Sequence, residues 1–127
     1  MLISKLRNKL KNKRLLAFVH AFRGLWIALK NEPHMRFHSV SAFAVIILGL
    51  IYPLTRIEWM IAGILIALVI GLEILNSALE KLCDAVHPKK HPMIRDVKDM
   101  AAGAVLWASL IAAGIGAWIF IPKIIGQ

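Results

Sequence analysis

Four polar residues stand together where an apolar run gives way to charge. Glu73, Asn76, Glu80 and Asp84 are spaced three, four and four residues apart, inside and just beyond the apolar stretch Trp59 to Leu79. At about 100° per residue a helix keeps that spacing within roughly 80° of arc, so one face carries three acids and an amide. A carboxylate within a membrane span is costly and marks function by default, which singles out Glu73. Glu80 falls at the polar edge of the run, and Glu73 lies about 10 Å deeper at 1.5 Å per residue. That is the depth at which a lipid head group meets its chains. Glu32 and the Lys98-Asp99 pair reach the same edge.

Acids and a lysine at a lipid–water boundary suit metal-assisted phosphoryl transfer, because hard oxygen ligands hold magnesium between themselves and phosphates. Glu32 and Glu80 are the expected metal ligands. Lys98 would balance phosphate charge in the transition state. Glu73, partly desolvated, would take the proton of a lipid hydroxyl as general base, and Asn76 would orient either that hydroxyl or Glu73. Plainer readings exist for the exposed members. Glu80 and Asp84 could pair with Lys81 or nearby bases on a solvated face, and Glu32 and Lys98 could be ordinary interfacial charges. His20, His34, His38, His87 and His91 share no HExxH spacing, and there is no GxxxxGK[ST] loop, so zinc and a P-loop nucleotide site find no support. Trp26, Trp59, Trp107 and Trp118 read as interface anchors and packing. Two other classes compete: a small proton-coupled transporter, which also buries a lone glutamate, and a non-enzymatic anchor whose basic helix binds anionic lipid. The acids here lie at one edge rather than the midplane, and an anchor leaves Glu73 and Asn76 unexplained.

The elements that must position these groups are legible in composition. The 127 residues suit one domain, and 59% hydrophobic content exceeds the about 45 to 50% of soluble globules. Mean hydropathy is +0.70. Three apolar stretches, Phe37 to Thr55, Trp59 to Leu79 and Met100 to Ile121, each approach the ~20 residues that cross a bilayer. The expected spans are residues 37–55, 59–80 and 99–122. Before them, residues 1–31 mix basic residues with Leu2, Leu6, Leu10, Leu15, Phe18, Phe22, Leu25, Trp26 and Leu29, the pattern of an amphipathic helix on a lipid surface, open to interruption near Lys11 to Lys13. No secretory signal is evident in this stretch. Pro33 then bars Glu32 from ordinary helix.

The net charge of +9 has two readings, nucleic acid or anionic membrane, and its distribution selects the second. Nine of the sixteen Lys and Arg residues precede the first long apolar run and five more lie between Lys81 and Lys98, leaving Arg56 and Lys123 for the other side. Positive-inside topology therefore predicts a cytoplasmic amino end and Lys81 to Lys98 segment, with the carboxyl end outside. Lone Cys83 allows no intrachain disulfide. In the third stretch Ala104, Ala108, Ala112 and Gly116 recur every fourth residue, predicting close helix packing, and three spans alone make so small a core that oligomers are expected.

The stretch Glu73-Ile-Leu-Asn-Ser-Ala-Leu-Glu80, followed by Asp84 and then Val97-Lys98-Asp99-Met-Ala-Ala-Gly-Ala104, resembles the signature of the small prokaryotic diacylglycerol kinases, which include the undecaprenol kinases. The resemblance covers nearly the whole chain, including Ala21-Phe-Arg-Gly24, Asn31-Glu32 and Arg36-Phe-His38. It implies an all-α bundle in a bacterial inner membrane: a homotrimer with one surface helix and three transmembrane helices per subunit. The implied activity is transfer of the ATP γ-phosphate to a lipid alcohol with magnesium. The implied base is Glu73, the metal ligands Glu32 and Glu80, and the phosphate-contacting lysine Lys98. Asp99 and Lys89-Lys90-His91 match the nucleotide-contacting region, to which Lys13 and His20 are added, and Asn76 sits within the motif. Arg36-Phe-His38 and Ile57-Glu58-Trp59 look like the undecaprenol branch, with diacylglycerol as the alternative substrate. His20 stands where the diacylglycerol branch usually has a tyrosine.

Overall fold

The groups above need a scaffold that fixes their depth, and helices supply it by length. The protein is a computed structural model in which residues 2–126 are described, with side chains from residue 13 onward. Helix α1 (Leu2–Asn31) belongs to one compact unit, Met1–Glu32, and helices α2 (Pro33–Ile51), α3 (Arg56–Val86) and α4 (Pro92–Ile124) to a second, Pro33–Gln127.

In the first unit α1 is continuous through Lys11 to Lys13, so the interruption allowed for there is not present. Leu2, Leu6 and Leu10 have side chains outside the described residues. Beyond them Leu15, Phe18, Phe22, Leu25 and Trp26 are exposed at helical spacing. The Glu32 N–H still donates to Ala28 O at 3.1 Å, but Glu32 itself is not helical. Pro33 imposes that break and then takes the first position of α2, where its missing N–H costs nothing.

In the second unit all three helices are long and apolar enough to cross a membrane, and α3 packs against both others, most extensively against α4. At 1.5 Å per residue the 19, 31 and 33 residues of α2, α3 and α4 extend about 28, 46 and 50 Å, against a hydrocarbon core of ~30 Å. The last two helices must therefore overrun it. The helix boundaries differ from the expected spans accordingly. α2 stops at Ile51, and Thr55, expected within the first span, instead caps α3: its Oγ1 accepts from Glu58 N–H at 3.3 Å while Glu58 Oε2 accepts from Thr55 N–H at 2.7 Å. This is a capping box in the Thr-x-x-Glu pattern. At the other end α3 continues to Val86, and α4 starts at Pro92 with His91 as its cap, His91 Nδ1 accepting from Met93 N–H at 3.2 Å. The Lys98-Asp99 pair thus lies within α4 rather than opening it.

Burial in this unit is reversed from the soluble pattern. Glu73, Asn76 and Ser77 are buried, whereas Phe43, Leu50, Ile64 and Trp107 are exposed and Trp118 is 84% exposed. The buried apolar residues are mostly small: Ala62, Val69, Cys83, Val105 and Ala108, with Phe120. Such a surface is at ease in lipid, where large side chains gain nothing by hiding from water. On α4, Ala108 is buried and Ala112 and Gly116 are half-buried, but Ala104 is exposed. A strict four-residue step advances 400° and so drifts about 40° each time. The packed seam follows Ala101, Val105, Ala108 and Ala112 instead.

Two contacts close the end where α2 meets α3. A Cβ at Gly49 would stand 2.8 Å from Trp59 Cη2 and 2.9 Å from Leu54 Cδ1, so the helix must be bare there. Lys123, near the end of α4, lies 3.2 Å from Glu58 Oε2 and donates to Pro53 O at 3.3 Å.

Candidate active site

The polar face of α3 survives intact in the structure. Glu73 is 3% exposed and Asn76 6%, and Glu80 is half-buried one turn further on. Asn76 Nδ2 donates to Glu80 Oε1 at 3.3 Å. The other end of that amide, Oδ1, is buried with no hydrogen-bond partner. This bond joins Asn76 to Glu80, whereas the spacing had suggested a partner in Glu73 or a substrate hydroxyl. Ser77 is also buried on this face. It escaped the candidate set, although a hydroxyl four residues after Glu73 in an apolar run was itself a signal.

Asp84, one turn beyond Glu80, is exposed. Lys98 Nζ donates to Asp84 Oδ1 at 2.5 Å, joining the extension of α3 to that of α4. One turn on, Arg95 Nε lies 3.7 Å from Asp99 Oδ2, both side chains largely exposed. Because α4 is already helical from Pro92, Arg95 and Asp99 are a turn apart on one face.

The five-residue connection between α3 and α4 is tied by local contacts. His87 Nδ1 lies 2.9 Å from Lys89 O, His91 caps α4, and the two imidazole rings have centroids 5.2 Å apart. Beside it is a cavity of about 840 Å³ lined by Lys89, Lys90, His91, Arg95, Lys98 and Asp99, among others. Five residues expected to contact a nucleotide are thereby gathered around one polar space. A second, apolar cavity of about 540 Å³ runs between α2, α3 and α4 and includes Val69 and Ile70, one turn from Glu73. The buried carboxylate thus stands on α3 between an apolar groove and the helix extensions that line a charged cavity. This arrangement suits group transfer between a charged, water-borne molecule and an apolar, membrane-borne one.

The remaining candidates belong to the first unit. Lys13 and His20 are exposed on α1, seven residues apart and so on one side of the helix. Glu32 is half-buried just after its end. Among the described residues no three of His, Cys, Asp or Glu gather into a ready metal cage.

Comparison with known proteins gives a consistent result. Residues 19–120 match the family described as prokaryotic diacylglycerol kinase. The chain is 43% identical over 118 residues to the undecaprenol kinase of Bacillus subtilis, covering 93% of this chain and 95% of that protein. It is 32% identical over 112 residues to a diacylglycerol kinase of Synechocystis, covering 87% and 64% of the two chains. It is 29% identical over 93 residues to the diacylglycerol kinase of Escherichia coli K12, covering 73% and 76%.

Proposed function

This chain belongs to the prokaryotic diacylglycerol kinase family and is a lipid kinase of the membrane, and from that premise we propose that it transfers the γ-phosphate of ATP to the hydroxyl of undecaprenol with magnesium. The observation that carries the chemistry is the burial of Glu73, at 3% exposure, on the helix face that continues into Asn76 and Glu80. A carboxylate is kept in such a place when it has a proton to take.

Glu73 removes the proton of the lipid alcohol as that oxygen attacks the γ-phosphorus, and the bond to the ADP leaving oxygen breaks. Lys98, already beside the polar cavity, offsets charge on the transferring oxygens, which is where most of the rate of such reactions arises. Lys89, Lys90, His91 and Asp99 bind the nucleotide from the same cavity. The carboxylate oxygens of Glu80 are hard donors of the kind magnesium prefers, and such an ion needs only one or two carboxylates besides phosphates. The buried, unpartnered Asn76 Oδ1 beside Glu80 is a further polar group suited to such an ion. When bound, magnesium would supply positive charge to offset that of the phosphates. The apolar groove beside Val69 and Ile70 is the natural place for the lipid chain.

Undecaprenol is favoured over diacylglycerol by the higher identity and fuller coverage of the Bacillus relative. The proposal extends to arrangement: α1 is an amphipathic helix on the cytoplasmic leaflet, residues 1–127 work as one domain, the carboxyl end lies outside, and three copies assemble. The Lys and Arg distribution supports the orientation. The exposed apolar faces and small core support assembly.

The test is ATP-dependent phosphate transfer in mixed micelles, with undecaprenol and diacylglycerol offered separately and Glu73→Gln alongside. Label on undecaprenol, reduced by about 10²- to 10⁴-fold in the variant, is expected. Label on diacylglycerol alone would reverse the substrate assignment, and undiminished transfer by an assembled Glu73→Gln protein would remove Glu73 as the base.

A further inference from the structure

The side-chain amide of Asn76 is satisfied on one side only. Asn76 is 6% exposed, its Nδ2 is bonded to Glu80, and its Oδ1 is buried without a partner. Glu80 Oε1 is a carboxylate oxygen and accepts only, so the end of Asn76 facing it must be the NH₂ group. The amide cannot be turned the other way without setting two acceptors against each other, so the orphaned atom is the carbonyl oxygen. Buried carbonyls almost always have a donor, and one that lacks it marks a missing partner.

The neighbouring residues do not provide one. Glu73, Glu80 and Asp84, which share the face, offer acceptors when ionised. Lys98 reaches α3 at Asp84, about two turns beyond Asn76. The lipid alcohol has a single proton, and in the proposed reaction that proton goes to Glu73. A hard divalent cation offers what is absent, since magnesium keeps several waters when held by one or two carboxylates, and those waters are strong donors. Glu80 can serve cation and amide together, because a carboxylate has about four lone-pair sites.

We propose that Asn76 is a positioning residue for a divalent cation: its NH₂ group holds the Glu80 carboxylate in place, and its Oδ1 accepts a hydrogen bond from a water on that cation. This rests on the reading of Glu80 as a metal ligand, and it gives Asn76 a duty to the metal rather than to the hydroxyl or to Glu73. Carboxylates that bind metals are themselves oriented by such outer partners, whose loss costs about 10- to 100-fold in metal affinity.

The experiment is Mn²⁺ titration of the purified full-length protein in micelles, followed by electron paramagnetic resonance without nucleotide or lipid alcohol. Asn76→Ala is expected to weaken Mn²⁺ binding by about 10- to 100-fold, and Glu80→Gln by at least as much. The double variant should bind no more weakly than Glu80→Gln alone, because Asn76 acts through Glu80 and the effects do not add. In the wild-type protein, the side-chain amide resonances of Asn76 should move on adding Mg²⁺, and should stay in place in Glu80→Gln. That measurement decides the matter even if Asn76→Ala does not assemble. Loss of Mn²⁺ binding in Glu80→Gln with none in Asn76→Ala, or stationary wild-type resonances, overturns this proposal alone. Wild-type Mn²⁺ affinity in Glu80→Gln overturns it together with the metal assignment.

Discussion

Where α3 begins, Thr55 and Glu58 cap one another, Lys123 joins Glu58 and Pro53, and Trp59 lies against bare backbone at Gly49. Five to eight turns along the same helix, Asn76 Oδ1 is buried without a partner, and Lys98 leans on Asp84 beside a charged cavity. The first region spends its polar groups on each other. The second leaves an acceptor unfilled and gathers charge around empty space, which is how a place that receives a ligand differs from one that holds helices together.

The sharpest way to break that contrast is to exchange expected consequences between the two regions. Lys98→Ala should lower kcat by about 10²- to 10³-fold, the scale of losing one charge-stabilising donor, while assembly in micelles stays as in the wild type. If it loosened the protein instead and spared the turnover of what remained folded, the Lys98–Asp84 bond would be a strut and the contrast would collapse. Gly49→Ala should do the reverse, costing about 1 to 3 kcal/mol of stability through forced displacement of Trp59 and Leu54, with kcat unchanged. Chemical unfolding in micelles reads the first quantity and phosphate transfer the second. Smaller still, Thr55→Ala removes one half of the capping box and should cost about 0.5 to 2 kcal/mol. A fall in turnover by either of these two variants at full assembly would show that the far end governs chemistry.

The helical architecture and the polar face were open to reading because both depend on short-range order along one chain. Apolar runs of membrane length admit few structures, and the Glu73, Asn76, Glu80 spacing is helical whatever surrounds it. Boundaries were less accessible. Lys81 to Lys98 looks like a connection because charge interrupts hydrophobicity, yet helix formation outside the membrane needs only capping and propensity, and His91 with Pro92 provides the cap. Thr-x-x-Glu at Thr55 was a signal of that kind, passed over because Thr55 was counted as the end of the first apolar run. The Lys98–Asp84 bond spans fourteen residues and follows from where two helix extensions cross, which spacing alone does not encode. Likewise, Ala104 was assigned to the seam by counting in fours, and the true pitch of the helix carries it off that line.

The excess length of α3 has a consequence for where the two reactants meet. Eleven residues beyond the ~20 that a bilayer requires let one unbroken rod pass from oil into water, since α3 has 31. Position along it is a graduated scale: in the proposed arrangement Glu73 marks the oil, Glu80 the shoreline and Asp84 the water above it. Inserting one residue between Glu73 and Glu80 would slide the marks by about 1.5 Å and swing them about 100° apart, separating what each side of the boundary presents to the other. Inserting one in the loop after Val86 would leave the scale untouched.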